Sequence, residues 1–140
     1  MKVSEAMTAQ VVTATPRTTI TEVASTMARI DSGAVPIVED GAVIGLVTDR
    51  DIVVRVVAVG GSLDGPVSGV MSDDVQTCQA DDSLADAAAK IGAQQIRRLV
   101  VLDDAGKLAG ILSLGDIAVD YGAKAVGKTL EDISEAAATH

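Results

Sequence analysis

Apolar residues along this chain follow two spacings, and each spacing occurs twice. In the first, apolar side chains recur every three or four residues, which predicts an amphipathic helix lying on a sheet. In the second, short and nearly continuous apolar runs flank a turn that contains glycine, which predicts hairpins whose strands are buried on both faces. The helical stripes are Ile20, Val23, Ala24, Met27 and Ile30 and, later, Leu84, Ala87, Ala88 and Ile91; the paired runs are 34–38 with 43–47 and 99–102 with 108–112.

These elements belong to two copies of one unit. The pattern V-S-x-x-M at residues 3–7 returns at residues 67–71, an offset of 64, and beyond the hairpin turns the offset becomes 65, as between Gly45 and Gly110. One residue inserted in a turn accounts for the change, because surface turns tolerate insertions. Internal repetition of this kind indicates two supersecondary units that pack on each other.

Each copy should contain a short strand, a helix, a hairpin and a second helix, so we predict an α+β fold of two β-α-β-β-α repeats. The opening strands are predicted at 11–15 and 75–79, and the second helices begin at Thr48 and Ser113. The turn-rich connection between the copies is too short to separate independent domains. The predicted division is a first repeat at 1–60, a linker at 61–66, a second repeat at 67–121, and a tail at 122–140 with a short helix from Thr129 capped by Asp132.

Composition limits the chemistry that this fold can carry. Twenty acidic against eleven basic residues give a net charge of −9, which opposes binding to nucleic acid or to an anionic membrane. Tyr121 is the only aromatic residue, so the core must be aliphatic, and no apolar run approaches the roughly twenty residues that span a bilayer. The single cysteine, Cys78, rules out an intramolecular disulfide and indicates a reducing compartment, so we expect a cytoplasmic location.

A polar motif recurs where the last strand of each copy passes into a helix. It reads G-h-h-[S/T]-x-x-D, with h apolar, and ends at Asp51 in the first copy and at Asp116 in the second. At such a junction a hydroxyl, here Thr48 or Ser113, and free backbone amides point into one space, and the helix dipole favours an anion there. An aspartate one turn later can accept two hydrogen bonds from a ribose cis-diol. The motif therefore matches a phosphate together with a ribose.

The same residue pairs also have the sequence of a capping box, in which hydroxyl and carboxylate each accept a hydrogen bond from the other residue's backbone amide. Spacing alone leaves the cap and the ligand interpretations open. The preceding glycine, Gly45 or Gly110, stands at the same distance from the hydroxyl in both copies, which favours the ligand.

The duplication, the order of elements and the paired motif resemble tandem cystathionine β-synthase (CBS) domains, the Bateman module, over about residues 3–121. The resemblance implies a pseudo-two-fold pair with two clefts between the repeats, which commonly bind AMP, ADP, ATP or related adenosyl ligands. It implies that Asp51 and Asp116 hold ribose and that Thr48 and Ser113 contact phosphate or ribose.

The resemblance also assigns basic residues. Arg97 and Arg98 match a position where many family members place a basic residue that faces phosphate, a task that suits guanidinium groups. The first copy has Gly33 and Ala34 there, so we expect unequal clefts, the better equipped being the one with both arginines, Ser113 and Asp116.

Further residues would complete the two clefts. Hydrophobic neighbours such as Val12, Ile111 and the backbone of 34–36 would flank the adenine. Arg50 and Arg55 are candidates for supplying charge to the other cleft, although a single arginine on a helix is usually a solvated surface residue. Small stand-alone bacterial proteins with Thr-Asp-Arg-Asp-Ile at the first motif are similar as well, and some of them have no established ligand.

Residues typical of catalysis are scarce. His140 is the only histidine, and Cys78 has no histidine near it in sequence, so the cysteine is interpreted as a small apolar residue of the second copy's first strand. The acidic pairs at 73–74 and 81–82 lie in polar turns, where carboxylates are usually solvated, so no metal site is predicted. We therefore predict that the chain is not an enzyme.

Two functions remain. In the first, the chain is a regulatory module that senses adenine nucleotides, with no obligatory cofactor, and acts on a protein partner in trans. In the second, it is a protein-interaction or dimerisation module whose junction motifs are only helix caps. The valine-rich helix at 51–59 would expose apolar surface on a lone copy, so a homodimer is expected under both interpretations.

Overall fold

The computed structural model describes residues 1–120, apart from the side chain of Asp120. The chain divides into two compact units, one made of residues 11–75 and the other of residues 1–10 together with the described residues from Gln76 onward. The predicted tail helix from Thr129 lies outside the described residues.

Each unit contains a hairpin, a long helix and a second helix that follows the hairpin directly, as the repeat predicts. The elements in chain order are α1 (Val3–Ala6), α2 (Ile20–Ile30), β1 (Ala34–Glu39), β2 (Ala42–Thr48), α3 (Asp49–Ile52) continuing into a π-helical turn (Val53–Val57), a 3₁₀ turn (Val67–Gly69), β3 (Thr77–Gln79), α4 (Leu84–Gln94), β4 (Arg98–Leu102), β5 (Leu108–Ser113) and α5 (Leu114–Asp120).

The two long helices, α2 and α4, confirm the helices predicted from the apolar stripes, and a side-chain cap precedes each of them. The hydroxyl of Thr19 accepts a hydrogen bond from the amide of Glu22 at 3.2 Å, and that of Ser83 accepts one from the amide of Asp86 at 3.1 Å. Each unit has its own aliphatic core, as the composition requires. Fully buried side chains include Val23, Val35, Ile37, Val47 and Val67 in one unit and Val3, Leu84, Ile91, Leu99 and Leu112 in the other.

The predicted opening strand at 11–15 is wrong, because only Ala14 forms a bridge there, whereas its counterpart is the three-residue strand β3, parallel to β4. Two prolines explain the difference. In the second copy the amides of Ala80 and Val100 donate to the carbonyls of Leu102 and Gln76 at 2.9 and 3.0 Å. The equivalent positions in the first copy are Pro16 and Pro36, which have no N–H to donate.

The opening V-S-x-x-M segments cross between the repeats. Thr8 exchanges two backbone hydrogen bonds with Ile111 of β5, at 2.9 and 3.0 Å, and Ser72 exchanges two with Leu46 of β2, both at 2.9 Å. Each compact unit therefore takes its opening segment from the other sequence repeat. The predicted boundaries at 1–60, 61–66 and 67–121 follow the sequence repeats and not these packed units.

Candidate functional site

The first strand-to-helix junction is a complete capping box. The hydroxyl of Thr48 accepts the amide N–H of Asp51 at 3.1 Å, and Oδ2 of Asp51 accepts the amide N–H of Thr48 at 2.9 Å. Both residues are half-buried. These bonds satisfy two of the amides that a helix N-terminus leaves unpaired.

The second junction repeats this arrangement. The hydroxyl of Ser113 accepts the amide N–H of Asp116 at 3.2 Å, and Oδ2 of Asp116 accepts the amide N–H of Ser113 at 3.0 Å. The cap interpretation of the motif is thus confirmed in both copies. It occupies only one oxygen of each carboxylate, so it leaves Oδ1 for another partner.

The glycine of the motif has a packing role that the sequence interpretation missed. A Cβ on Gly110 would lie 2.6 Å from the carbonyl oxygen of Thr8, and one on Gly45 would lie 2.5 Å from Sδ of Met71 and 3.1 Å from the carbonyl oxygen of Ser72. Close backbone approach by the V-S-x-x-M segment explains both glycines. Their common spacing is therefore no argument for a ligand, and that inference from the sequence is corrected.

The two junctions differ in their remaining amides. In the first, the amide of Asp49 donates to the carbonyl of Gly33 at 2.9 Å, and the amide of Arg50 donates to Oδ1 of Asp49 at 2.8 Å. In the second, the amide of Leu114 donates to the carbonyl of Arg97 at 3.2 Å. The next amide, that of Gly115, has no acceptor within residues 1–120.

The free carboxylate oxygens differ as well. Oδ1 of Asp51 lies 3.9 Å from Nε of Arg55, one helical turn later. The residue equivalent to Arg55 in the second copy is Asp120. Among the described residues Oδ1 of Asp116 has no partner, so the second junction presents an uncommitted acceptor.

The structure places both predicted arginines at the second junction. Arg98 is the cross-strand neighbour of Ser113, so the two side chains leave the sheet on the same face. Arg97 is exposed and Arg98 half-buried, and neither forms an ion pair within the described part of the chain. Arg50, at the first junction, is also exposed and has no ion pair among those residues.

The predicted adenine contacts fall in both units. Val12 lies in the unit of Thr48 and is half-buried. Its counterpart Gln76 accepts the amide of Val100, whereas the residue equivalent to Val100 is Pro36, which has no N–H to donate. Ile111 lies in the unit of Ser113, where it is partly buried and both its backbone groups bond to Thr8. That these residues and the backbone of 34–36 contact adenine stays a prediction.

Asp49 is a residue of the junction that the sequence interpretation overlooked. Its carboxylate accepts an amide of the helix to which it belongs, beside Gly33, and the second copy has Leu114 and Arg97 at these two positions. Aligning the two motif copies by residue type, and asking where an acid replaces an apolar residue, would have identified it.

Other chemistry is poorly supported in the described residues. Cys78 is 6% exposed on β3, as its apolar interpretation requires, and burial, helped by Asp82 and opposed in part by Lys90, raises its pKa to about 11. The thiol is therefore protonated at neutral pH and a poor nucleophile. No group of three or more metal-ligating side chains occurs among residues 1–119. No helix in the described residues is long and apolar enough to span a membrane.

Comparison with known proteins decides the family. The CBS domain model matches residues 3–58 and again residues 67–120. The chain belongs to the CBS domain family. The CBS domain-containing protein YhcV of Bacillus subtilis (strain 168) is 42% identical over 133 residues, which are 94% of this chain and 94% of YhcV. The predicted family and α+β fold are thus confirmed.

Two solved CBS structures are named as complexes with adenosyl ligands. The CBS domain protein PAE2072 from Pyrobaculum aerophilum, complexed with AMP, is 28% identical with a TM-score of 0.79, over 96% of this chain and 99% of that one. The CBS domain pair of protein MJ0100, in complex with 5′-methylthioadenosine and S-adenosyl-L-methionine, is 25% identical with a TM-score of 0.79, over 89% and 98%. CBS pairs similar to this chain therefore bind adenosyl compounds.

Proposed function

We propose that this CBS pair is a regulatory module, without catalytic activity, that binds AMP, ADP, ATP or a related adenosyl ligand. The observation that carries the proposal is the binding of AMP, 5′-methylthioadenosine and S-adenosylmethionine by the two similar CBS structures. Binding would favour one conformation of the module, and a protein partner would respond to it in trans. The single buried cysteine supports a reducing, cytoplasmic setting.

The second junction is the better candidate for the phosphorylated ligand. Among residues 1–120, Oδ1 of Asp116 is an uncommitted acceptor of the kind that a ribose hydroxyl needs, and the amide of Gly115, one residue earlier, has no acceptor there either. Arg97 and Arg98 supply positive charge at the same junction without a competing ion pair in the described residues. Charge-assisted hydrogen bonds to phosphate are the stronger kind, so these groups suit AMP.

Asp116→Asn separates ligand binding from capping. The asparagine oxygen can still accept the amide of Ser113, so the free energy of unfolding should change by less than about 1 kcal/mol. The atom in place of Oδ1 becomes an NH₂ group that cannot accept a ribose hydroxyl. We expect AMP affinity to fall roughly ten- to a hundredfold, measured by isothermal titration calorimetry, since hydrogen bonds to charged groups contribute about 1.5–3 kcal/mol.

Asp51→Asn makes the same change at the first junction, and it should lower AMP affinity less than Asp116→Asn does, because Oδ1 of Asp51 already lies 3.9 Å from Nε of Arg55. The wild-type protein must first be stabilised against thermal unfolding by AMP, ADP, ATP or S-adenosylmethionine. No stabilisation by any of the four at millimolar concentration would overturn the proposed function. Unchanged AMP affinity in Asp116→Asn would show instead that the motif is only a cap.

A second role, self-association, is favoured by an exposed apolar helix face. Val53, Val54 and Val57 are 57%, 49% and 57% exposed, and all three lie within one five-residue π-helical turn. We propose that a second copy of the chain covers this face as a homodimer. Clustered exposed valines are expected to mark an interface, because burying them is favourable.

The double substitution Val54→Asp and Val57→Asp should convert the dimer to a monomer. Two carboxylates would be forced into an apolar interface, where unpaired charge is strongly unfavourable. Sedimentation equilibrium measures the mass directly. Leu63→Asp is the control, since this 41% exposed leucine lies outside the helix and should leave the dimer intact. A wild-type protein that stays monomeric at high micromolar concentration would contradict the proposal.

A further inference from the structure

Asp49 places a carboxylate at the first junction, where the second junction has none. Its Oδ1 accepts the amide of Arg50 at 2.8 Å. The equivalent amide, that of Gly115, has no acceptor within the described residues, because the residue before it is Leu114. At the second junction the amide of Gly115 is therefore available to a bound anion. At the first junction the equivalent amide, that of Arg50, is already bonded to the carboxylate of Asp49.

Gly33 and Asp49 form a matched pair. The amide of Asp49 bonds to the carbonyl of Gly33 at 2.9 Å, and a Cβ on Gly33 would lie 2.8 Å from Oδ2 of Asp49. Gly33 does not have a positive φ, so close contact with the carboxylate, and not backbone conformation, is what favours glycine here. The second copy replaces both members, with Arg97 for Gly33 and Leu114 for Asp49. Between the two copies, the exchange of glycine for arginine therefore accompanies the exchange of aspartate for leucine.

Within the described residues, neither Arg50 nor Arg55 forms an ion pair with the carboxylate of Asp49. Arg55 lies 3.9 Å from Oδ1 of Asp51 and is directed to that carboxylate, and Arg50 is exposed without an ion pair among the described residues. A phosphate beside Asp49 would meet a like charge and would have to displace its hydrogen bond to Arg50. An uncharged thioether or a cationic sulfonium would meet neither obstacle.

We propose that Asp49 is a specificity-determining residue that excludes phosphate from the first junction, so that this junction accepts only adenosyl ligands whose 5′ group carries no net negative charge. The inference rests on the proposed function and refines it: one chain holds one phosphorylated ligand, at Ser113 and Asp116, and one unphosphorylated ligand, at Thr48 and Asp51. Such a module compares two classes of adenosyl compound.

Calorimetric titration with AMP and with 5′-methylthioadenosine tests the assignment. The wild-type chain should bind one AMP and two 5′-methylthioadenosine molecules. Asp49→Leu, which copies Leu114, should raise the AMP stoichiometry to two. Asp49→Asn keeps the side-chain shape and removes the charge, so it should raise AMP affinity at the first junction at least tenfold. Leu114→Asp should abolish the single AMP site and keep 5′-methylthioadenosine binding.

The outcomes separate this inference from the proposed function. Two AMP molecules per wild-type chain, or one AMP per chain in both Asp49→Leu and Asp49→Asn, would overturn the role of Asp49 and leave adenosyl binding intact. A wild-type chain that binds neither compound would overturn both. Asp49 is exposed, so its variants should fold, which far-UV circular dichroism checks.

Discussion

Val3→Asp should lower the free energy of unfolding by about 4 kcal/mol, although residue 3 lies close to the start of the chain. Val3 is fully buried, in a core that it shares with Leu84, Ile91 and Leu112 of the other sequence repeat. Burying an unpaired carboxylate belongs to the small set of substitutions with effects of this size. Urea unfolding followed by circular dichroism measures the change.

Ser4→Asp is the matched control for this substitution. Ser4 is exposed on the same short helix, α1, so the added charge stays in water and stability should change by less than about 0.5 kcal/mol. If the two variants were equally stable, the opening segment would not be docked in solution on the unit that contains α4. A loss confined to Val3→Asp would establish the crossing of segments between repeats.

Gly110→Ala should cost about 3 kcal/mol, and Gly45→Ala clearly less. The new methyl group at 110 meets the backbone oxygen of Thr8 at 2.6 Å, which cannot move without breaking the pairing with Ile111. At 45 the nearest atom is the side-chain sulfur of Met71, which can rotate away. Overpacking of this kind typically costs 1–3 kcal/mol.

Gly69→Ala serves as the control for both glycine variants, in equilibrium unfolding with urea. No atom lies within 4 Å of a Cβ at this position, and its φ is not positive. The substitution should therefore be neutral or stabilise the fold by up to about 1 kcal/mol, because alanine restricts the unfolded chain. Equal stability of all three alanine variants would contradict the close approach of the opening segment to Gly110.

Local patterns in the sequence were sufficient to predict the long helices, the hairpins and the caps. The stripe from Ile20 to Ile30 matches the bounds of α2, and the pairs Thr48 with Asp51 and Ser113 with Asp116 make the predicted hydrogen bonds. The helices and caps depend on residues three or four apart, and each hairpin on two apolar runs joined by a short turn. Spacing alone is informative at that range, since the helix itself brings such residues together.

Features that depend on distant partners could not be predicted in this way. The loss of the first strand requires knowing that Pro36 occupies the position from which Val100 donates to the opening strand of the second copy, and the role of Gly110 requires knowing that Thr8 crosses it. The packing role of the two glycines was missed for this reason. Asp49 could have been identified from the sequence, because the second repeat has Leu114 at the equivalent position. Its proposed effect on a ligand could not, because that depends on its hydrogen bonds to Arg50 and Gly33.

The crossing of the opening segments also sets an order of events during synthesis. Thr8 leaves the ribosome about 100 residues before its partner Ile111, which is on the order of ten seconds at ordinary rates of translation. Residues 11–75 form one compact unit that includes both Leu46 and its partner Ser72, so that unit can close while the rest is still being made. Residues 1–10 must wait throughout this time, and the second unit closes only when β5 has emerged.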